Sequence, residues 1–194
     1  MNNPNRNVVE RAKDGIVAGI RGVGDVSSAI VDTAADVMVH ALRGTRGVGT
    51  EALSVGAGVV TGAVHGVAEV GTEVGGAAKG IMVGALRGTR EVGEVTVETV
   101  RSNAAALVKG TADVGGNVAK AAQGAVEGAI EMSRDLGIEA ERAGAAAASG
   151  ALKAAGDVGS TAVEQVRKTL TGTISGVKDV LHEPFQKSAK KEKR

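Results

Sequence analysis

The sequence predicts an all-α chain: a long amphipathic helix of 11-residue units that pair into 22-residue ones, conditionally disordered in water and able to fold back into antiparallel hairpins or a bundle. Three observations predict it. Apolar residues recur every eleven positions along most of the chain. The composition is rich in Gly, Ala and Val, with one aromatic residue, Phe185. All 30 glycines lie between Gly15 and Gly176, and both prolines, Pro4 and Pro184, lie outside that span.

The period comes first. Stepping by eleven from Val26, the first position of the unit reads Val26, Val37, Val48, Val59, Val70, Ile81 and Val92, then Asn103, Val114, Ala125, Leu136, Ala147 and Val158. The sixth position, from Val31 through Leu42, Leu53, Val64, Leu86 and Val108, is also mostly apolar. Eleven residues close three turns at ~3.67 residues per turn, close to the natural helical pitch. On that wheel, positions one, two, five, six and nine form one apolar arc, and the charged residues lie opposite. A β-strand would need a period of two.

A second order lies on the first. Position two alternates large and small: Met38, Gly49, Val60, Gly71, Met82, Gly93, Ala104, Gly115, Val126, Gly137, Ala148, Gly159. The near-copies Ala41–Arg46 and Ala85–Arg90 stand two 22-residue units apart. The alternation suits partner helices staggered by one unit, a large residue of one against a glycine of the other. Glycines four apart, at Gly58, Gly62, Gly66 and at Gly76, Gly80, Gly84, Gly88, read in two ways. They are repeat positions filled with small residues, or they are a face for close backbone approach.

Each glycine in a helix interior costs roughly 1 kcal/mol relative to alanine, so thirty imply a penalty on the order of 25–30 kcal/mol. An isolated helix would not survive that in water, and the free chain is expected to be disordered unless a partner helix or a surface buries its arc. The organisation expected is a disordered N-terminus over residues 1–7, a repeat helix over 8–182 and a disordered basic tail over 183–194. A straight helix that long would span roughly 260 Å. It is therefore expected to fold back at glycine pairs such as Gly75-Gly76 or Gly115-Gly116.

The same residues exclude most chemistries. Lys and Arg total 23 against 22 Asp and Glu, a net charge of +1, which argues against nucleic acid as a partner. There is no cysteine for disulfide or thiolate chemistry. Gly22-Val23-Gly24 and Gly47-Val48-Gly49 lack the pattern of a phosphate loop. His40, His65 and His182 stand too far apart to share a metal, and the recurring carboxylates are too widely spaced for an acid–base pair. No enzyme site and no cofactor are expected. The opening Met1–Asn7 carries no apolar stretch of the secretory type. Between Gly47 and His65 only Glu51 is charged, the nearest approach to a membrane span, and none is expected there.

Gly58–Gly76 resembles synuclein. Val64-His65-Gly66-Val67-Ala68, Val59-Val60-Thr61-Gly62-Ala63 and Val74-Gly75-Gly76-Ala77 carry the likeness, and Arg87-Gly88-Thr89-Arg90-Glu91-Val92 is a loose counterpart of that family's charged core. The periodic likeness runs from about Gly15 to Leu181; the close wording covers only the short segment. The resemblance implies a chain that is disordered in water, helical on anionic vesicles and prone to amyloid through its uncharged units. The departures are a degenerate charged core, a basic tail where the family has an acidic one, and many more glycines. Perilipin-like, granule-coating and late-embryogenesis-abundant proteins use eleven-residue repeats as well.

The function expected is a reversible coat on a lipid membrane, vesicle or hydrophobic particle, with the protein cytoplasmic and peripherally attached. The binding face expected is Val26, Val37, Val48, Val59, Val70, Ile81, Val92, Val114, Leu136 and Val158. Contacts to an anionic surface are expected from Lys187, Lys190, Lys191, Lys193 and Arg194. The alternatives are a self-associating helical bundle, coiled coil or filament, and a stress-protective disordered chain.

Overall fold

A computed structural model describes residues 4–21, 25–44 and 50–173. They form eight helices in chain order: α1 (Pro4–Arg21), α2 (Val26–Arg43), α3 (Thr50–Glu69), α4 (Val74–Val92), α5 (Val97–Asp113), α6 (Val118–Leu136), α7 (Ala140–Val158) and α8 (Ser160–Thr173). There is no strand among the described residues. The period-based reading of helix therefore holds. The chain also folds back as expected, but at more places than the glycine pairs marked: it turns about every 22 residues and packs on itself.

The turns explain the alternation at position two. Gly71, Gly93, Gly115, Gly137 and Gly159 all sit just past helix ends, while Met38, Val60, Met82, Ala104, Val126 and Ala148 are buried within helices. One 22-residue unit is thus one helix plus its turn. The interdigitation of large residues against these glycines is not what the structure uses. At Gly115 and Gly137 the chain takes the left-handed φ of 70° and 66° that glycine adopts without a Cβ penalty. Paired hydrogen bonds close each end: Gly115 N–H donates to Ala112 O and Gly116 N–H to Thr111 O, as do Gly137 to Arg134 and Ile138 to Ser133. The expected turn at Gly115-Gly116 is present. The one expected at Gly75-Gly76 falls instead at Val70–Glu73, and those two glycines open α4.

Helix starts carry matching signals. Asp25 caps α2 by accepting from the Ser27 and Ser28 N–H groups, and Asn117 caps α6 through Ala119 and Lys120. Thr96 and Thr99 cap α5 reciprocally. Each side chain satisfies amides that the first turn leaves without an intrahelical partner.

The helices are arranged in two layers. Each helix packs most extensively on the one two places along the chain, so α1, α3, α5 and α7 form one layer and α2, α4, α6 and α8 the other. Within a layer neighbours run parallel: Gly62 meets Val9 and Ala12, and Gly66 meets Lys13 and Ile16, ascending together. Successive helices run antiparallel, as Gly15 beside Val37 and Gly19 beside Thr33 show. Among the described residues α1 and α2 touch none of α5 to α8, so these eight helices do not close into a ring.

The interior between the layers is the apolar arc. Its largest fully buried side chains include Ile16, Met38, Ile81, Met82, Leu86, Leu107 and Leu170; the rest is mostly Ala and Val. Small side chains bury little area each, at about 25 cal/mol per Å². Close approach of the backbones compensates by adding dispersion contacts. The four-residue glycine spacing supplies that approach. A Cβ on Gly62, Gly84 or Gly88 would collide with a backbone carbonyl of the neighbouring helix, and one on Gly66 would lie 2.8 Å from Lys13 O. Of the two readings of those glycines, helix–helix contact is the one the packing realises at these positions. The disorder expected of the free chain rested on an unburied arc; in the packed chain, the chain's own helices bury it.

Candidate functional site

The expected binding face is a candidate surface only if the stack opens. Val59 and Ile81 are 1% and 0% exposed, inside the core. Val26, Val37, Val70, Val114 and Leu136 are half-buried against it. Val92 and Val158 are the exposed members, at 37% and 46%, and both stand at helix C-termini beside turn glycines. Val48 lies outside the described residues, as do Lys187, Lys190, Lys191, Lys193 and Arg194. The two-layer packing brings Val59 and Ile81 into one core, and it leaves Val92 and Val158 apart from it.

Charge on the outer faces is arranged in pairs that join neighbours within a layer. Lys13 Nζ pairs with Glu69 at 3.0 Å across α1 and α3, and Arg87 with Asp32 at 3.0 Å across α2 and α4. Lys79 pairs with Glu131 at 2.7 Å across α4 and α6, and Lys120 with Glu73 at 3.2 Å. The Glu69 carboxylate, first by its hydrogen bond and then by its charge, raises the Lys13 pKa, and Glu131 raises that of Lys79 in the same order. Asp25 is lowered by hydrogen bonds from the Ser28 hydroxyl and the Ser28 and Ser27 amides. These are solvent-exposed contacts that set register more than they set stability.

The α1–α2 end of the stack is mostly polar. Two units back from Gly58 and Gly62 of α3 stand Asp14 and Ala18 of α1, and two units back from Gly80 and Gly84 of α4 stand Asp36 and His40 of α2; all four are exposed. Where an inner helix presents glycine to its neighbour, the first helix of each layer thus presents mostly polar side chains to water. Polar outer faces of this kind terminate helical repeat arrays.

Among the described residues there is no group of three or more His, Cys, Asp or Glu that could hold a metal. A shallow groove of about 310 Å³ lies between the N-terminal ends of α2 and α4, lined by Val26, Ile30, Ala77, Thr72, Glu73 and neighbouring glycines. Its acidic member Glu73 already pairs with Lys120. One described helix, Thr50–Glu69, is long and apolar enough to cross a membrane, and 56% of its apolar 18-residue window is buried among the other helices.

The feature that sequence reasoning missed is the set of polar atoms without partners inside the stack: His65 Nε2, Arg101 Nε and Asn103 Nδ2. Asn103 had a signal, since it is one of two polar exceptions in the first-position series, with Thr169, and it is 2% exposed. The chain matches no family model, no curated protein and no solved structure.

Proposed function

We propose that the protein is a conditional coat for lipid or other hydrophobic surfaces, stored in water as a two-layer helical stack whose apolar arc is turned inward. The observation that carries this reading is the pairing of a small-side-chain interior with free hinges. Val59, Ile81 and their neighbours are covered only by other helices of the same chain. At Gly71, Gly93, Gly115, Gly137 and Gly159 an added Cβ would meet nothing within 4 Å. These glycines leave the turns room to change direction, while Val70, Val95, Val114 and Ile138 in the same turns pack on the core and leave it when the stack opens. A surface that offers apolar contact takes the place of the opposite layer, and amphipathic helices with modest side chains insert shallowly. The tight glycine-to-backbone contacts join helices of the same layer, so they persist when a surface replaces the opposite layer, and the two layers pair again when the surface is withdrawn.

The mostly polar end face at α1 and α2 weighs against a filament made by continued stacking at that end. The test is flotation of the full chain with phosphatidylserine-containing vesicles and with neutral triglyceride droplets, with helix content followed by circular dichroism. Co-flotation with helix retained is expected. A chain that remains soluble and unbound in both preparations contradicts the reading.

A further inference from the structure

We propose that the stack has one built-in parting line, the seam between α3 and α5, which opens while α4 and α6 stay together as a spine. What the opening serves rests on the coat reading; where it occurs does not.

Three independent observations meet at this seam. The ion pairs that join neighbours within a layer link α1 to α3, α2 to α4, and α4 with its N-cap Glu73 to α6; among the described residues none joins α3 to α5, and the two seams beyond it, α5–α7 and α6–α8, have none either. The glycine packing loosens at the same place. A Cβ on Gly124 would lie 2.7 Å from Lys79 N and one on Gly128 2.9 Å from Met82 Cβ, both across α4 and α6. Across α3 and α5 the corresponding approaches are ordinary contacts, 3.5 Å from Gly110 to Thr61 Cα and to Val64 Cβ, and 3.5 Å from Gly56 to Asn103 Oδ1. Finally, among the described residues the buried side-chain atoms without a hydrogen-bond partner are His65 Nε2 on α3 and Arg101 Nε and Asn103 Nδ2 on α5; of these, Asn103 is placed at the seam by its contact with Gly56. A buried amide hydrogen without an acceptor favours any state in which water can reach it.

The other seams differ. On the far side of α5, Gly150 of α7 sits directly on the Arg101 backbone. α8 is the last described helix, and its loosening frays an end without parting the interior. Opening at α3–α5 divides one layer into α1 with α3 and α5 with α7. The connection from the spine to α5 runs through Gly93, where a Cβ would meet nothing, and through Val95, which is buried in the core and has to leave it when α5 swings from α4. Val64 and the core behind it would then face outward toward a lipid surface.

The chain has no cysteine, so introduced pairs report alone. In Val64→Cys with Gly110→Cys the two Cβ positions are 3.5 Å apart, at the lower edge of the ~3.5–4.5 Å of a disulfide. Ile30→Cys with Gly80→Cys, at 3.8 Å, makes the equivalent lock across α2 and α4. Amide exchange is measured in buffer for each variant, oxidised and reduced. Oxidation of the 64–110 pair slows exchange in the interiors of α3 and α5 at least about tenfold, whereas oxidation of the 30–80 pair leaves them within about twofold. Equal slowing by both locks, or none by either, overturns the proposal. Asn103→Val, which needs no crosslink, slows the same amides several-fold; unchanged or faster exchange in a folded Asn103→Val chain overturns it too. Flotation with phosphatidylserine vesicles is read separately. Loss of binding in the oxidised 64–110 chain alone supports opening there as the route to the surface. Slowed exchange with unimpaired binding keeps the seam and overturns its link to the surface.

Discussion

Gly84 lies directly against the carbonyl oxygen of Val31, with no room between them for a methyl group. Gly62 stands in the same relation to Val9 in the other layer, and Gly88 to Ala35. The glycines that make this chain a poor isolated helix are therefore what let its helices approach. The cost in helix propensity is local, and the gain appears only when a second helix of the same layer is in place.

Two glycines inside helices should respond with opposite signs. Gly84→Ala forces the α2–α4 backbones apart and should destabilise the protein by roughly 1–3 kcal/mol, the usual cost of overpacking. Gly156 lies within α7, where a Cβ would meet nothing. Gly156→Ala should stabilise by roughly 0.5–1 kcal/mol through helix propensity alone. Urea unfolding of the two variants checks both signs; equal effects would mean the close approach carries no weight.

The turns offer a second contrast. Gly115→Ala places a side chain at φ 70°, a left-handed conformation that costs an L-residue roughly 1–2 kcal/mol. Gly93 has an extended backbone, with φ −171°, so Gly93→Ala should lie within roughly 0.5 kcal/mol of the parent, as surface substitutions usually do. Thermal melts of the two, compared at one concentration, distinguish them.

Helix C-termini carry carboxylates on the 22-residue beat, among them Glu69, Glu91, Asp113, Asp135 and Asp157. The negative end of the helix dipole disfavours them. Asp113→Asn should therefore stabilise by roughly 0.3–1 kcal/mol at low salt. The gain should shrink when the melt is repeated in 0.5 M salt.

Stability against pH should be a plateau with two shoulders. The Asp25 carboxyl is held below its ordinary value by the Ser28 hydroxyl first and then by the Ser28 and Ser27 amides. Its contribution is present above the usual ~3.9 of aspartate and is lost as pH falls through the lowered folded value. Lys13 and Lys79 are raised by Glu69 and Glu131. Their contribution is present below the usual ~10.4 of lysine and is lost as pH rises through the raised folded values. Asp25→Asn, which keeps an oxygen for the cap, should soften the acid shoulder, and Lys79→Gln the alkaline one. Melting temperatures across pH for the two variants provide the check.

Helix was legible in the sequence, and so was the arc, since Val59, Ile81 and Val64 lie in the core where the period put them. The number of helices was harder to read. A helix and its turn together fill 22 residues, so the eleven-residue phase runs through each turn unbroken and imitates a single rod. Gly71, Gly115 and Gly137 carried the breaks, but beside Met82 and Val126 they read equally well as small residues meeting large ones. Caps at Asp25, Thr96 and Asn117 marked three of the starts. What the arc packs against was not legible, because another helix and a lipid surface demand the same apolar face. The unpartnered polar atoms of Arg101 and His65 follow from tertiary packing and have no trace in the repeat.

The central claim is that one apolar arc is buried by the chain itself in water and by a surface when one is present. Pulsed dipolar distances between spin labels at Arg87 and Asp32, exposed partners on α4 and α2 joined by an ion pair at 3.0 Å, compared with a second pair at Thr61 and Lys109 across α3 and α5, test it most directly. In buffer both pairs should give short, narrow distributions, with a compact radius of gyration near the ~16 Å of a globular chain of this length, not the ~47 Å of an unfolded one. On phosphatidylserine vesicles the Thr61–Lys109 distribution should lengthen and broaden while the chain remains helical. Broad distances in buffer, or identical distances with and without vesicles to which the chain is bound, would contradict the account.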